Sequence, residues 1–238
     1  IDKLADEWAA VSSSNQGAAP VLIHEEPDVS IKVIREHLNF DFKKLLIEKN
    51  KNFDDVKKYV EETSPELTNI IETYDDKMDL FERYHIEDQI PKALDRKVWL
   101  PSGGHLLIDP TEALTVIDVN TGKFVGKNSL EETVYENNLE AAEEIARQLR
   151  LRDIGGIIVI DFIDMESVKK QQSLLTKLKQ ELAKDKTRTQ VFEVSRLGLV
   201  EMTRKNVAAG LIETFSEDCE ECDGRGLIIN DIFSNNSQ

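Results

Sequence analysis

The sequence predicts an α/β protein whose sheet lies in the second half of the chain. From about residue 97, short apolar runs alternate with longer segments of helical spacing. The runs at 114–120 and 157–163 are separated by one helical segment, which is the order of a strand, a crossover helix and a parallel strand. This alternation is typical of a layered α/β domain.

The first hundred residues predict an α-rich or mixed scaffold. A short helix is expected ahead of an exposed connection at 9–20, followed by a short strand at 21–26 in "VLIHEE". Residues 30–93 are highly charged and carry apolar side chains at helical spacing. One predicted helical segment contains 42–47, and the next contains 56–60.

The elements of the sheet follow in order from residue 97. "VWLPSGGHLLID" predicts two strands joined by a Gly-Gly turn, and "ALTVIDVN" predicts the strand at 114–120. Ser129 and Glu132 form a capping box that opens a helix over 129–152. The run at 157–163 is apolar on both faces, which predicts a central strand covered on both sides. The remaining predicted elements are a helix at 166–185, a strand at 190–195 and a short helix at 198–207.

The charge is strongly negative but unevenly distributed. With 46 acidic and 30 basic residues, the formal net charge is −16, which argues against nucleic-acid binding through a uniformly basic surface. Residues 151–200 are the exception, with nine Lys and Arg against seven acids. This block is either a positive rim beside a site or the solvated face of the helix at 166–186.

Hydropathy and the N-terminal sequence predict a cytoplasmic protein. No apolar run reaches the about 18 residues that a transmembrane helix needs. The N-terminus carries no signal-peptide pattern.

Two carboxylates stand in the most apolar strands. Asp118 and Asn120 share one face of their strand, and Asp161 lies toward the end of the next strand. Polar side chains at the carboxyl ends of neighbouring parallel strands are typical of α/β sites. Two adjacent carboxylates repel each other, and an oxygen-only ligand set suits Mg²⁺ or Mn²⁺. The alternative is that both aspartates cap turns at strand ends while Asn120 supports the loop.

The chain has two cysteines, Cys219 and Cys222 in "CEECDGRG". Their spacing indicates either a redox pair or half of a metal site. The four histidines lie outside these motifs, and His105 is interpreted as a turn or packing residue.

A long segment resembles the catalytic domain of the ribonuclease E/G family. It runs from "LPSGGHLLIDPTEALTVIDVNTGKFVGKNSLEETVYENNLEAAEEIARQLRLRDIGGIIVIDFIDM" to "CEECDGRG". The resemblance is strongest over about 99–226 and continues more weakly through 21–28 and 86–91. "NTGKFVGK" looks closer to the ribonuclease G side of the family.

The resemblance implies an endoribonuclease that cleaves single-stranded RNA and depends on Mg²⁺. It implies that Asp118 and Asp161 hold the ion and that Asn120 orients the site. Attack by a metal-activated water would leave a 5′-phosphate and a 3′-hydroxyl. Three cations are candidates for RNA phosphate contacts or, equally, for ordinary surface residues: Lys123, Lys127 and Arg188.

The resemblance also implies a division of the chain. Residues 94–215 would form a DNase I-like catalytic subdomain, and residues 30–93 part of an RNase H-like scaffold. The remaining segments would be a linker or a remnant of the 5′-sensor region at 1–29, a zinc-link motif at 216–226 and a tail at 227–238. Neither the S1 domain nor the 5′-sensing pocket of the family is found, so weak, salt-sensitive RNA binding without 5′-monophosphate preference is expected.

The family's zinc link pairs one CxxC from each of two protomers. The resemblance therefore implies that Cys219 and Cys222 contribute half of a shared Zn²⁺ site in a homodimer. The alternative is a reduced CxxC in an acidic tail. Two other functions remain open, namely a zinc-linked RNA-binding or assembly scaffold without cleavage, and a metal-dependent phosphoesterase with a non-RNA substrate.

Overall fold

The computed structural model describes residues 2–13, 26–48, 51–122, 130–195, 197–222, 224 and 226–227. The chain forms two compact units, Ile1–His85 and Ile86–Gln238. The strand predicted at 21–26 and the residue Ser129 of the predicted capping box lie outside the described residues, except for Glu26.

The first unit is built around a small parallel sheet of two strands. Its core contains Ile34, Val56, Val60 and Leu67. Its elements are α1 (Asp2–Ser13), α2 (Val29–His37), β1 (Leu45–Glu48), α3 (Lys51–Thr63), a 3-10 helix (Pro65–Ile70), β2 (Ile71–Tyr74) and α4 (Leu80–Arg83), with β1 parallel to β2.

The prediction of helical structure at 42–47 was wrong, whereas the helix around 56–60 is confirmed as α3. Leu45 and Ile47 pack on the core of this unit, and Leu46 between them is not part of that packing. This period of two belongs to a strand. Four consecutive positions pair with β2, and a short aliphatic run of this kind suits strand and helix alike.

The second unit contains a six-stranded mixed sheet in the order β3-β4-β5-β6-β8-β7. The pair β5 and β6 is parallel, and the other pairs are antiparallel. Its elements are α5 (Ile86–Leu94), β3 (Lys97–Trp99), β4 (His105–Pro110), β5 (Leu114–Asn120), α6 (Leu130–Leu151), β6 (Gly156–Asp161), α7 (Val168–Leu182), β7 (Thr189–Val194), β8 (Val200–Arg204) and α8 (Leu211–Phe215).

One face of this sheet is packed against helices and the other is open. Ile117, Ile158 and Ile160 are fully buried, in one core with Ile145 of α6 and Leu178 of α7. The strand residues that alternate with these point to the other face and are half-buried or exposed. The prediction that β6 is covered on both sides was therefore wrong, because α6 and α7 pack on the same face and leave Ile157 51% exposed.

The segment predicted as a short helix at 198–207 is instead strand β8, inserted between β6 and β7. Val200, Met202 and Arg204 are buried, whereas Glu201 is exposed and Thr203 is half-buried between them. This alternation matches a strand with one covered face. The predicted parallel unit is confirmed, with β5, α6 and β6 in order and α6 returning the chain across the sheet.

Arg204 stabilises the end of the sheet that lies opposite the carboxyl ends of β5 and β6. Its side chain is 3% exposed and donates to Asp185 Oδ2 at 2.9 Å and Asp153 Oδ1 at 2.7 Å. It also donates to the carbonyl of Ile154 at 3.0 Å. Burial alone would raise the pKa of Asp185, but the backbone N–H of Thr187 and the Arg204 guanidinium lower it.

We expect Arg204→Leu to lower the free energy of unfolding by about 3–5 kcal/mol, since it leaves two carboxylates without their counterion. Urea unfolding measures this loss. Because the pKa of Asp185 is lowered in the folded state, its share of the stability is present above the ordinary Asp pKa of about 3.9 and is lost as the pH falls through the lowered value. The matched control is Arg147→Ala, which removes an exposed guanidinium from its pair with the half-buried Glu144 and should cost less than about 1 kcal/mol. Equal losses in the two variants would contradict this account.

None of the helices in the described part of the chain is long and apolar enough to cross a membrane.

Candidate active site

Asp118 and Asp161 are direct neighbours on adjacent parallel strands. In the register of β5 and β6, their Cα positions are paired, at the strand spacing of about 4.8 Å. Both lie on the open face of the sheet, where Asp118 is half-buried and Asp161 is exposed. Asp161 is the last residue of β6, so the pair stands at the carboxyl ends of the two parallel strands.

Asn120 fixes the orientation of Asp118. It lies two residues further along β5 on the same face, and its Nδ2 donates to Asp118 Oδ2 at 2.7 Å. One oxygen of the carboxylate is thereby bound to the amide. The hydrogen bond leaves Oδ1 as the less constrained ligand atom.

The site repels negative charge. Burial raises the pKa of Asp161, and the negative charges of Asp118 and Asp164 raise it further. The two neighbouring carboxylates thus add a negative local field to the effect of burial. A bound cation would relieve this repulsion.

The loop after Asp161 is held by a buried side chain of α6. Asn138 is fully buried, donates to the carbonyl of Ile163 at 2.8 Å and accepts from the N–H of Ile163 at 3.1 Å. This two-point contact ties the chain two residues beyond Asp161 to the helix behind the sheet. The neighbouring Phe162 is buried in the same core.

The adjacent Asn137 supports the turn between β3 and β4. Its Oδ1 accepts from Ser102 Oγ at 3.2 Å. A side chain at Gly104 would overlap Asn137, and one at Gly122 would overlap the carbonyl of Gly103. The turn therefore packs tightly on the end of β5, just beyond Asn120, because both positions are glycine.

Two residues near the carboxylates were missed by the sequence analysis. His105 of β4 is the register partner of Asn120, and Asp164 contributes to the field at Asp161. Burial lowers the pKa of His105, Lys97 lowers it further and Asp118 opposes both. Asp164 could have been recognised from the sequence, because it follows Asp161 by three residues in "DFIDM". In contrast, no sequence spacing shows that His105 pairs with Asn120.

Of the three predicted RNA-binding cations, Arg188 alone lies among the described residues. Lys123 and Lys127 lie outside the described residues. Arg188 is exposed and directly precedes β7. The first residue of β7, Thr189, pairs with Arg204 of β8. Arg204 in turn pairs with Gly156, the first residue of β6. Arg188 therefore lies at the opposite end of the sheet, about 17 Å along the strands from Asp161. Its contact with RNA stays a prediction.

The carboxylate pair has the chemistry of a magnesium site. No group of three or more His, Cys, Asp or Glu side chains that could hold a metal occurs in the described ranges. Mg²⁺ commonly binds through one or two carboxylates and completes its shell with water and substrate phosphate. Asp118 and Asp161, adjacent on an open face and mutually repulsive, fit that requirement.

Comparison with known proteins identifies the family of this chain. A sequence profile described as "Ribonuclease E/G family" matches residues 1–207. The chain belongs to the ribonuclease E/G family. The match covers the first compact unit and the second as far as residue 207, and it includes Asp118, Asn120 and Asp161.

Similar members of the ribonuclease E/G family include both named types. Ribonuclease E of Haemophilus influenzae is 41% identical over 226 residues, covering 94% of this chain and 24% of that protein. Ribonuclease E of Escherichia coli is 40% identical over 223 residues, covering 93% of this chain and 21% of that protein. Ribonuclease G of H. influenzae is 41% identical over 206 residues, covering 87% of this chain and 42% of that protein.

This chain therefore spans about a quarter or less of the ribonuclease E relatives and less than half of the ribonuclease G relative. The identity to one ribonuclease E and to one ribonuclease G is the same, 41%. These values do not separate the two types. The nearness to ribonuclease G stays a prediction.

We expect Asp118→Asn and Asp161→Asn each to raise the thermal stability of the protein in the presence of a chelator. Each substitution removes one of two repelling charges, worth on the order of 1 kcal/mol in a largely solvated site, which corresponds to about 2–4 °C for a domain of this size. Calorimetry at pH 7 measures the shift. Asp109→Asn, which removes the partner of Arg96 on the same sheet face, is the control and should not be stabilising. A lowered melting temperature in both site variants would contradict the repulsion.

Proposed function

We propose that this chain carries the catalytic site of a Mg²⁺-dependent endoribonuclease that cleaves single-stranded RNA. The observation that supports this most is the register pairing of Asp118 with Asp161 on an open sheet face in a member of the ribonuclease E/G family. An open face admits an extended polymer. Two adjacent carboxylates supply the charge that a catalytic cation needs.

In this proposal each residue has a separate task. Asp118 and Asp161 would hold the ion, and Asn120 keeps the Asp118 carboxylate in one orientation through the 2.7 Å hydrogen bond. Asn138 holds the backbone beyond Asp161, which limits the movement of the second carboxylate. When bound, Mg²⁺ supplies Lewis-acid polarisation of a phosphodiester oxygen and a lowered pKa of water. Attack by water would leave a 5′-phosphate and a 3′-hydroxyl.

The subdomain assignments belong to the same proposal. A sheet packed on one face by two helices is compatible with a DNase I-like catalytic subdomain at 94–215. The small parallel sheet of the first unit is compatible with a partial RNase H-like scaffold at 30–93. The cytoplasmic location and the RNA contacts of Lys123, Lys127 and Arg188 are part of the proposal as well.

We expect Asp118→Asn and Asp161→Asn each to abolish Mg²⁺-dependent cleavage of a single-stranded RNA oligonucleotide. Losing the ion removes several kcal/mol of transition-state stabilisation, which amounts to a drop in rate of about 10³-fold or more. The assay compares each variant with the unchanged chain, with Mg²⁺ and with chelator, and identifies the product ends by mass.

The matched control for cleavage is Asp109→Asn, since Asp109 lies on the same sheet face but is paired with Arg96. This variant should retain its activity. Single-stranded DNA and a phosphomonoester serve as alternative substrates. Full activity in both site variants, or equal cleavage of a phosphomonoester, would disprove the assignment.

The cysteine pair supports a second part of the proposal, a Zn²⁺ site shared by two chains. Hydrogen bonds from the backbone N–H groups of Cys222 and Glu221, followed by the Cys222 thiol, lower the pKa of Cys219. The N–H of Gly226 donates to Cys222 Sγ at 3.3 Å. Backbone N–H groups directed at the Cys219 sulfur favour its thiolate, which is the zinc-binding form. One chain supplies two of the four ligands of a closed site, and a two-fold axis would supply the others.

We expect about half an equivalent of zinc per chain and a dimer in solution. Chelation or Cys219→Ser should convert the dimer to monomers, as measured by light scattering with elemental analysis. Ser216→Ala, a change in the same segment that leaves both thiols, is the control and should remain dimeric. A full equivalent of zinc on a monomer would contradict the shared site.

A further inference from the structure

A row of three side chains crosses the open sheet face beside the carboxylates. Trp99 of β3 pairs in register with His105 of β4, which pairs with Asn120 of β5. The next row, two residues along the strands, contains Lys97, Leu107, Asp118 and Asp161. Trp99 thus lies on the same face as the candidate active site, two strand spacings from Asn120, or about 10 Å.

Trp99 is unusually exposed for its size. Its neighbours Val98 and Leu100 are buried in the core, whereas Trp99 is 65% exposed. Its ring centroid lies 5.4 Å from that of His105, with the planes tilted by 53°. An indole that contacts one neighbouring ring and remains largely exposed offers a flat surface on which another ring can stack.

A cation accompanies this aromatic pair. The ammonium of Lys97 lies 3.9 Å from the centroid of the Trp99 ring, and among the described residues it makes no ion pair with a carboxylate. A cation beside an exposed aromatic ring matches the two components of a nucleotide, the phosphate and the base. Proteins bind single strands through this combination of stacking and positive charge.

We propose that Trp99, together with His105 and Lys97, forms a binding subsite for one nucleobase of single-stranded RNA next to the scissile phosphate. This inference rests on the proposed endoribonuclease function. Trp99 stacks on the base, Lys97 contacts a phosphate of the same strand, and His105 supports the indole ring. The subsite lies beside the carboxylates, so it contributes to substrate binding and leaves the chemical step unchanged.

The kinetic test compares Trp99→Ala, Trp99→Phe and the unchanged chain on one single-stranded RNA oligonucleotide. Trp99→Ala should raise KM about fivefold or more with little change in kcat, since loss of base stacking weakens binding by at least that factor. Trp99→Phe should restore part of the affinity because phenylalanine still stacks. Substrates that each lack one base should identify the stacked position. When that base is missing, the unchanged chain and Trp99→Ala should bind the RNA equally.

The binding test needs no cleavage and therefore separates the subsite from the proposed function. The chain has two tryptophans, Trp8 and Trp99, and both are exposed. In an Asp118→Asn, Trp8→Phe protein, Trp99 is the only indole, and RNA should quench its fluorescence. In the matched Asp118→Asn, Trp99→Phe protein, which retains Trp8, the same RNA should cause no quenching. Quenching of Trp99 in this protein, together with no RNA cleavage by the unchanged chain in Mg²⁺, would support the subsite while refuting the endoribonuclease.

Three outcomes would overturn the subsite. The first is an unchanged KM in Trp99→Ala, and the second is equal quenching of Trp8 and Trp99. The third is a change in Trp99 emission with protein concentration in the absence of RNA, which would make this face an interface between copies of the chain. Circular dichroism of each variant is the check that the substitutions leave the fold intact.

Discussion

The parallel pairing of β5 with β6 brings two carboxylates together that the rest of the second unit must hold in place. Asp118 and Asp161 are register partners, and their repulsion opposes this pairing. The opposite face of the same strands compensates, because Ile117, Ile158 and Ile160 are fully buried against α6 and α7. Each such side chain contributes about 1.5–3 kcal/mol on burial, whereas repulsion between solvated carboxylates is on the order of 1 kcal/mol. The apolar face therefore determines the register, and the open face carries an arrangement that would be unfavourable alone.

Helix α6 has two roles in this arrangement. It returns the chain so that β6 runs parallel to β5, and its buried Asn137 and Asn138 contact the loops on either side of the carboxylates. A buried amide is costly unless it is hydrogen-bonded. Asn138 meets this requirement with the backbone of Ile163, so the stability of the helix and the position of the loop after Asp161 depend on the same contact.

The sequence predicted the central unit of the fold and the two aspartates because their signals are local. The apolar runs of β5 and β6, with one long helix between them, leave few alternatives for the connection. The strand β8 was missed because five residues of alternating character carry a weak signal, and β1 was missed because three consecutive aliphatics suit either structure. The exposure of Ile157 depends on which face of the sheet the helices cover. The sequence of β6 alone does not contain that information.

The surroundings of the site could not be predicted for a different reason. Trp99, His105 and Asn120 are separated by up to 21 positions in the chain and meet only through the antiparallel register of β3, β4 and β5. In the sequence, His105 looks like a turn or packing residue, whereas the register places it beside Asn120 on the open face. Asp164 could have been predicted as a site residue, since it shares the "DFIDM" segment with Asp161.

The claim that Asp118 and Asp161 together form a cation site is tested most directly by titrating the protein with Mn²⁺ and measuring free Mn²⁺ by electron paramagnetic resonance. The account predicts one Mn²⁺ bound per chain, displaced by Mg²⁺, lost in both Asp118→Asn and Asp161→Asn, and retained in Asp109→Asn. The same Mn²⁺ binding in all four proteins would contradict it.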